Sequence, residues 1–123
     1  MPDRAKVVAT VDNYLAKLSA ADVDGIMAGY AAEPTVNDPV GSDPKVGREA
    51  VRAFYESIIP LKPKATLLGP VTVAANYAAF QFKLELTLGD SPMTVIATEW
   101  FVLDDDLLIT EMNAVPDLEV GKA

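Results

Sequence analysis

The sequence predicts an α+β domain in which three helices pack on one face of a curved, mainly antiparallel sheet. Three observations carry this. Up to about Ile59, apolar residues recur at the 3.6-residue spacing of helices. From Leu67 onward they alternate with polar residues, which is the period of a strand. Helices first and an antiparallel meander second is an α+β arrangement. The chain has 123 residues, 50% of them apolar, which suits a single core and one domain over residues 1–123.

The first helix is marked by Val7, Val8, Val11, Leu15 and Leu18, with Tyr14 on the same stripe. It ends near Ser19-Ala20-Ala21. Asp22 is a good N-cap for a second helix whose inner face carries Val23, Ile26, Met27 and Tyr30. Pro34 blocks its continuation. Thr35 to Asn37 reads as a short strand, followed by a Pro/Gly-rich stretch through Gly47. A third helix is expected from about Arg48 to Ile59, with Val51, Phe54, Tyr55 and Ile58 inward and Pro60 and Pro63 ending it. The period then switches to that of a strand at Leu67, Gly69, Val71 and Val73. Ala75-Asn76 is a turn. Ala78 to Leu88 alternates cleanly, and Gly89-Asp90 is a two-residue hairpin signal. Met93 to Leu103 and Leu107 to Val115 complete the meander. Asp104-Asp105-Asp106, between those two strands, reads as a solvated hairpin tip, because it lacks the spaced oxygen ligands and terminal glutamate of a calcium loop.

Composition excludes several classes of function. The chain has no histidine and no cysteine, so disulfides, thiolate metal sites and imidazole acid–base chemistry are absent. Zinc, haem and copper sites are not expected; an all-oxygen calcium or magnesium site is the one metal chemistry left open. No cofactor is expected. The formal net charge of −8, with no cluster of Lys or Arg, argues against nucleic acid as a partner. Met1-Pro2-Asp3-Arg4 is not a secretory n-region, and no apolar run approaches 18 residues, so no membrane association and a cytoplasmic location are expected.

With histidine and cysteine gone, acid–base work falls to carboxylates, tyrosines or lysines. Three residues stand out. Asp38, in Val36-Asn37-Asp38-Pro39-Val40-Gly41-Ser42, precedes a proline and is therefore biased to extended geometry, as suits a projecting base. Asp-Pro and Pro-x-Gly are also ordinary turn signals. Glu99 shares its strand face with Val95, Ala97, Phe101 and Leu103, all apolar, so it reads as buried and neutral. The competing reading places it on a wet face, since Thr94, Ile96, Thr98 and Trp100 opposite are also rather apolar. Tyr14 lies on an apolar helix stripe, where tyrosine is commonly plain core. Tyr30 and Tyr55 point into the same interior, which allows a connected hydroxyl network. A base with two neutral donors suits proton abstraction next to a carbonyl, where charge builds on oxygen.

From about residue 7 to 115 the chain resembles the ketosteroid isomerases, members of the nuclear-transport-factor-2-like superfamily of cone-shaped α+β domains. The resemblance is carried by Asp22-Val23-Asp24-Gly25-Ile26 through Tyr30-Ala31, by Thr35 to Ser42 around Asp38, and by Gly47-Arg48-Glu49 and Ala53-Phe54-Tyr55. It implies that Asp38 is the catalytic base and Tyr14 the oxyanion-hole tyrosine, with Tyr30 and Tyr55 linked to it by hydrogen bonds. It places Glu99 where the family carries a protonated aspartic acid. It puts Phe54, Phe82, Phe101, Met112 and Ala114 at the steroid pocket. The chain departs from the family in carrying Glu rather than Asp at 99, Asn37 in place of an acidic neighbour of the base, and Pro116 where some members have tryptophan.

The activity so implied is the transfer of the double bond of a β,γ-unsaturated 3-ketosteroid into conjugation, without a cofactor. The implied assembly is a homodimer through the outer face of the sheet. Two other readings use the same residues. An epoxide hydrolase or cyclase on this scaffold would use Asp38 and Glu99 as paired carboxylates, although the Asp-Arg-Asp relay of one such type needs an arginine that Arg4, Arg48 and Arg52 are not placed to supply. A non-catalytic dimer binding apolar ligands would tolerate loss of Asp38. Fold alone does not decide among these.

Overall fold

Asp3 opens the first helix: its carboxylate accepts a hydrogen bond from the Ala5 N–H at 2.8 Å. The computed structural model describes residues 3–119. Helix α1 runs Arg4–Ser19 and buries Val7, Val11, Tyr14, Leu15 and Leu18. Asp22 caps α2, Val23–Ala28, by accepting from the Gly25 N–H at 2.9 Å. The chain then leaves the helix at Gly29, so Tyr30 is not on the inner face of α2 as expected. It is the first residue of strand β1, Tyr30–Asn37. Its partner is far away in sequence: Tyr30 pairs with Ile109, whose N–H donates to the Gly29 carbonyl at 2.8 Å. These backbone groups are satisfied by a strand instead of by another helical turn. Pro34 lies inside β1, where the register against its neighbour shifts between Tyr30 and Thr35, so its missing N–H falls in a gap of the ladder.

Strand β2, Lys45–Val46, pairs antiparallel with β1, setting Lys45 opposite Val36. Helix α3 spans Arg48–Ile58 and is followed by a 3₁₀ turn, Ile59–Leu61. Of its expected inner residues, Val51 and Tyr55 are buried, while Phe54 and Ile58 are half-buried. The Arg48 guanidinium donates to the carbonyls of Met27, Tyr30 and Ala31, each at 3.0 Å. A cation is favourable at a helix C-terminus. This one gathers carbonyls from the last turn of α2 and the start of β1 and ties them to the start of α3.

The remaining strands are β3 (Lys64–Ala74), β4 (Tyr77–Leu88), β5 (Ser91–Leu103) and β6 (Ile109–Asp117). The sheet order is β2-β1-β6-β5-β4-β3, antiparallel except for the parallel pair of β1 and β6. Gly89, at φ +62°, makes the tight turn between β4 and β5. A register shift between Leu68 and Thr72, with Gly69 at φ +80°, interrupts the β3–β4 ladder and bends the sheet. Strand β6 begins two residues later than the alternation suggested. Leu107 lies at positive φ, in a loop organised by Asp104, whose Oδ1 accepts from the N–H groups of Asp106 and Leu108 at 2.9 and 3.0 Å.

The inner face of the sheet carries Phe80 and Phe82 of β4, Ala97 and Phe101 of β5, and Met112 of β6, all buried against α1 and α3. Each buried Phe or Met contributes roughly 1.5–3 kcal/mol relative to an exposed one. No helix among the described residues is long and apolar enough to cross a membrane.

Candidate active site

Asp38 follows directly on β1 and lines a cavity of about 180 Å³. Its peptide bond to Pro39 is cis. The walls come from three directions. Helix α3 and the following turn give Phe54, Ile58 and Leu61; β4 gives Phe82, Leu84 and Leu86; β5 and β6 give Val95, Ala97, Glu99, Ala114 and Pro116. Asp38 and Glu99 are the two ionisable groups on this otherwise apolar wall. Strand alternation puts Glu99 there: Val95, Ala97, Phe101 and Leu103 are all buried with it, and Glu99 itself is only 4% exposed. Its Oε1 is buried and has no hydrogen-bond partner.

The environments of the two carboxyls differ. Burial lifts Asp38 from 3.8 to about 6, against an opposing pull from the Lys45 charge. Burial also pushes Glu99 well above the usual carboxylate range. The negative charge of Asp38 adds to that rise, and a hydrogen bond with Tyr14 opposes it. At neutral pH Asp38 is mainly ionised, and Glu99 holds its proton to higher pH than an ordinary carboxyl. Like charges sharing one site cannot both ionise cheaply, so the charge on Asp38 favours the protonated form of Glu99.

Behind Glu99 the three tyrosines meet. The Tyr55 hydroxyl bonds to that of Tyr14 at 2.9 Å and to that of Tyr30 at 2.5 Å. Tyr30 reaches this point from a strand, not from a helix. Burial raises all three hydroxyls well above 10, so they stay protonated. The Tyr14 ring stands edge-on to Phe101 at 5.0 Å. Tyr14 is not among the residues that line the cavity.

Of the five apolar residues expected at the pocket, Phe54, Phe82 and Ala114 line it. Phe101 and Met112 do not. They face each other across β5 and β6 and are fully buried in the core behind the wall, 0% and 1% exposed. Several lining residues were not singled out from sequence: Ile58, Leu61, Leu84, Leu86 and Val95 are ordinary members of apolar stripes, and only the curl of the sheet brings them to one cavity. Lys45 was also not singled out. Its Nζ donates to the Asp38 carbonyl oxygen at 3.0 Å and lies 5.1 Å from the centre of the Phe54 ring. Among the described residues, no three His, Cys, Asp or Glu side chains are grouped to hold a metal ion.

A carboxylate base facing a neutral carboxyl across an apolar cavity can move a proton on a carbon acid. Residues 11–112 match the model of the SnoaL-like domain. The chain is 36% identical over 110 residues to a steroid Delta-isomerase of Nocardioides simplex, an alignment covering 89% of each protein. In structure it is similar to SalBIII, described as an epoxide hydrolase/cyclase-like enzyme of pyran ring formation in the polyether salinomycin. The TM-score is 0.90, with 24% identity, over 96% of this chain and 95% of that one. That likeness shows a shared fold.

Proposed function

Since the chain belongs to the SnoaL-like domain family, on the nuclear-transport-factor-2-like fold, we propose that it is a cofactor-independent isomerase that moves the double bond of a β,γ-unsaturated 3-ketosteroid into conjugation. The observation that carries this reading is the sorting of two carboxyls in one cavity. Both line one apolar cavity; burial holds Asp38 near 6 and Glu99 well above the usual carboxylate range. Paired with a tyrosine, this combination of base and neutral acid is already described for ketosteroid isomerases. The isomerase relative at 36% identity supports the same reading.

In the proposed reaction Asp38 takes a proton from the carbon between the carbonyl and the double bond. The electron pair moves onto the carbonyl oxygen and a dienolate forms. Glu99, whose Oε1 has no hydrogen-bond partner among the described residues, presents its carboxyl to that oxygen. Tyr14 supports that donor: its hydroxyl is bonded to that of Tyr55, and Tyr55 to that of Tyr30, so that each hydroxyl polarises the next. Protonated Asp38 then returns the proton at the far end of the conjugated system, so no proton is gained or lost overall. A donor at a developing oxyanion is typically worth about 2.7–4 kcal/mol, and a positioned base about 100- to 10,000-fold. The apolar walls from Phe54 to Leu86 suit the carbon skeleton of such a ketone.

The two carboxyls alone would also serve epoxide opening. The arginine that a relay would require is not at the cavity: Arg4 donates to the Val71 carbonyl, Arg48 to carbonyls of the last turn of α2 and the start of β1, and Arg52 to Asp24. We also propose that the protein is a homodimer through the outer face of the sheet, where Ile96, Trp100 and Val102 are half-buried and Val115 is 50% exposed. The test of the activity is to add a β,γ-unsaturated 3-ketosteroid and follow the absorbance of the conjugated enone. The expected result is a rise proportional to enzyme that is lost in Asp38→Asn. A ligand that binds without isomerising would contradict the proposal.

A further inference from the structure

We propose that Lys45 is a positioning residue for Asp38: its ammonium, held on the Asp38 carbonyl and over the Phe54 ring, fixes the turn that carries the carboxylate and keeps that carboxylate charged in the cavity it shares with Glu99. The inference rests on the reading of Asp38 as the base.

Geometry supports it from three sides. Pairing of β2 with β1 sets Lys45 opposite Val36, two residues before Asp38. The Nζ bond to the Asp38 carbonyl, at 3.0 Å, then closes the loop between these strands. The Phe54 ring, 5.1 Å from Nζ, is itself part of the cavity wall. A cation over an aromatic face is attracted by the ring quadrupole, so α3 holds the ammonium from its other side. Lys45 thus joins β1, β2 and α3 at the point where the base projects.

Charge supports it as well. Two acids in one apolar cavity need something to decide which of them ionises. The groups facing Asp38 are Lys45 from β2, Glu99 from β5 and the tyrosine chain from α1, β1 and α3. Of these, only Lys45 carries positive charge. The cations of α3 are engaged elsewhere, Arg48 on backbone carbonyls and Arg52 on Asp24. On β6, Glu111 accepts a hydrogen bond from Asn113, which in turn accepts one from Asn37. Asp43, in the same loop as Asp38, is exposed. The ammonium is bonded to the Asp38 backbone, so its charge favours ionisation of Asp38.

The experiment is to titrate the Asp38 carboxyl by NMR in the unaltered protein, Lys45→Met, Lys45→Gln and Lys45→Arg, and to measure kcat/KM for a β,γ-unsaturated 3-ketosteroid over the same pH range. Methionine keeps the apolar stem. Glutamine keeps a donor for the Asp38 carbonyl without the charge. The Asp38 midpoint should rise in both variants and return in Lys45→Arg. Their kcat/KM should fall about three- to tenfold at pH 5 and stay within about twofold at pH 8. An unmoved midpoint, with activity lowered equally at every pH, overturns the proposal and leaves Lys45 as a structural link. A Gln variant that titrates like the unaltered protein overturns the role of the charge. If the unaltered protein does not isomerise the ketone, the proposed function fails, yet the NMR midpoints still decide the case of Lys45.

Discussion

Asp38→Asn should make the protein more stable while removing its activity. Burial lifts the Asp38 carboxyl from 3.8 to about 6. A rise of that size means that folding disfavours the charged form by about 3 kcal/mol. The sign follows from proton uptake. Between 3.8 and about 6 the folded protein binds more protons than the unfolded chain. Stability therefore falls as pH rises through that window, and the cost is complete above it. Asparagine has no charge to desolvate, but its amide must still find hydrogen bonds. The gain should be about 1–3 kcal/mol at pH 7.5 and smaller by about 2.5 kcal/mol at pH 4. Urea unfolding of both proteins at the two pH values measures it. If the variant is less stable at pH 7.5, or gains equally at both pH values, Asp38 does not sit in the environment described.

Tyr55→Phe removes both bonds of the tyrosine chain, whereas Tyr30→Phe removes only the one farther from Glu99. Steady-state kinetics should therefore show kcat falling more in the first, with KM little changed in either. Glu99→Gln keeps a donor and should stay within about tenfold in kcat. Glu99→Ala should lose about 100- to 1,000-fold, the typical worth of an oxyanion donor, unless water enters in its place and softens the loss. Arg48→Met strips three carbonyls of their donor, and denaturant unfolding should show a loss of about 2–4 kcal/mol with kcat of the folded enzyme unchanged.

Elements whose partners are local were legible in the sequence. The alternation from Ala78 to Leu88 and from Met93 to Leu103 describes two real strands, and it placed Glu99 among apolar face-mates without any knowledge of the helices. Tyr30 was misplaced for the opposite reason. The stripe Val23, Ile26, Met27, Tyr30 is helical in period, but Ile109 of β6, far along the chain, supplies a strand partner that ends the helix at Gly29. Pro34 was read as a stop because a gap in a ladder is not visible in one segment. Phe101 and Met112 have the right chemistry for a pocket wall. The path of β5 and β6 under the core decides that they back the wall instead. Lys45 carries no pattern at all: a lone lysine in a polar loop gains its role only when a carbonyl and an aromatic ring close around it.

The central claim is that one cavity holds an ionised Asp38 and a neutral Glu99 that act together on a ketone. The pH dependence of kcat/KM for a β,γ-unsaturated 3-ketosteroid tests both halves at once. The account predicts activity that rises about tenfold per pH unit below about 6, where Asp38 loses its proton. A plateau through neutrality should follow, and activity should fall only where Glu99, held well above the usual carboxylate range, finally ionises. Full activity persisting down to about pH 4, the ordinary range of a carboxylate, or a decline already under way at neutrality, would contradict it.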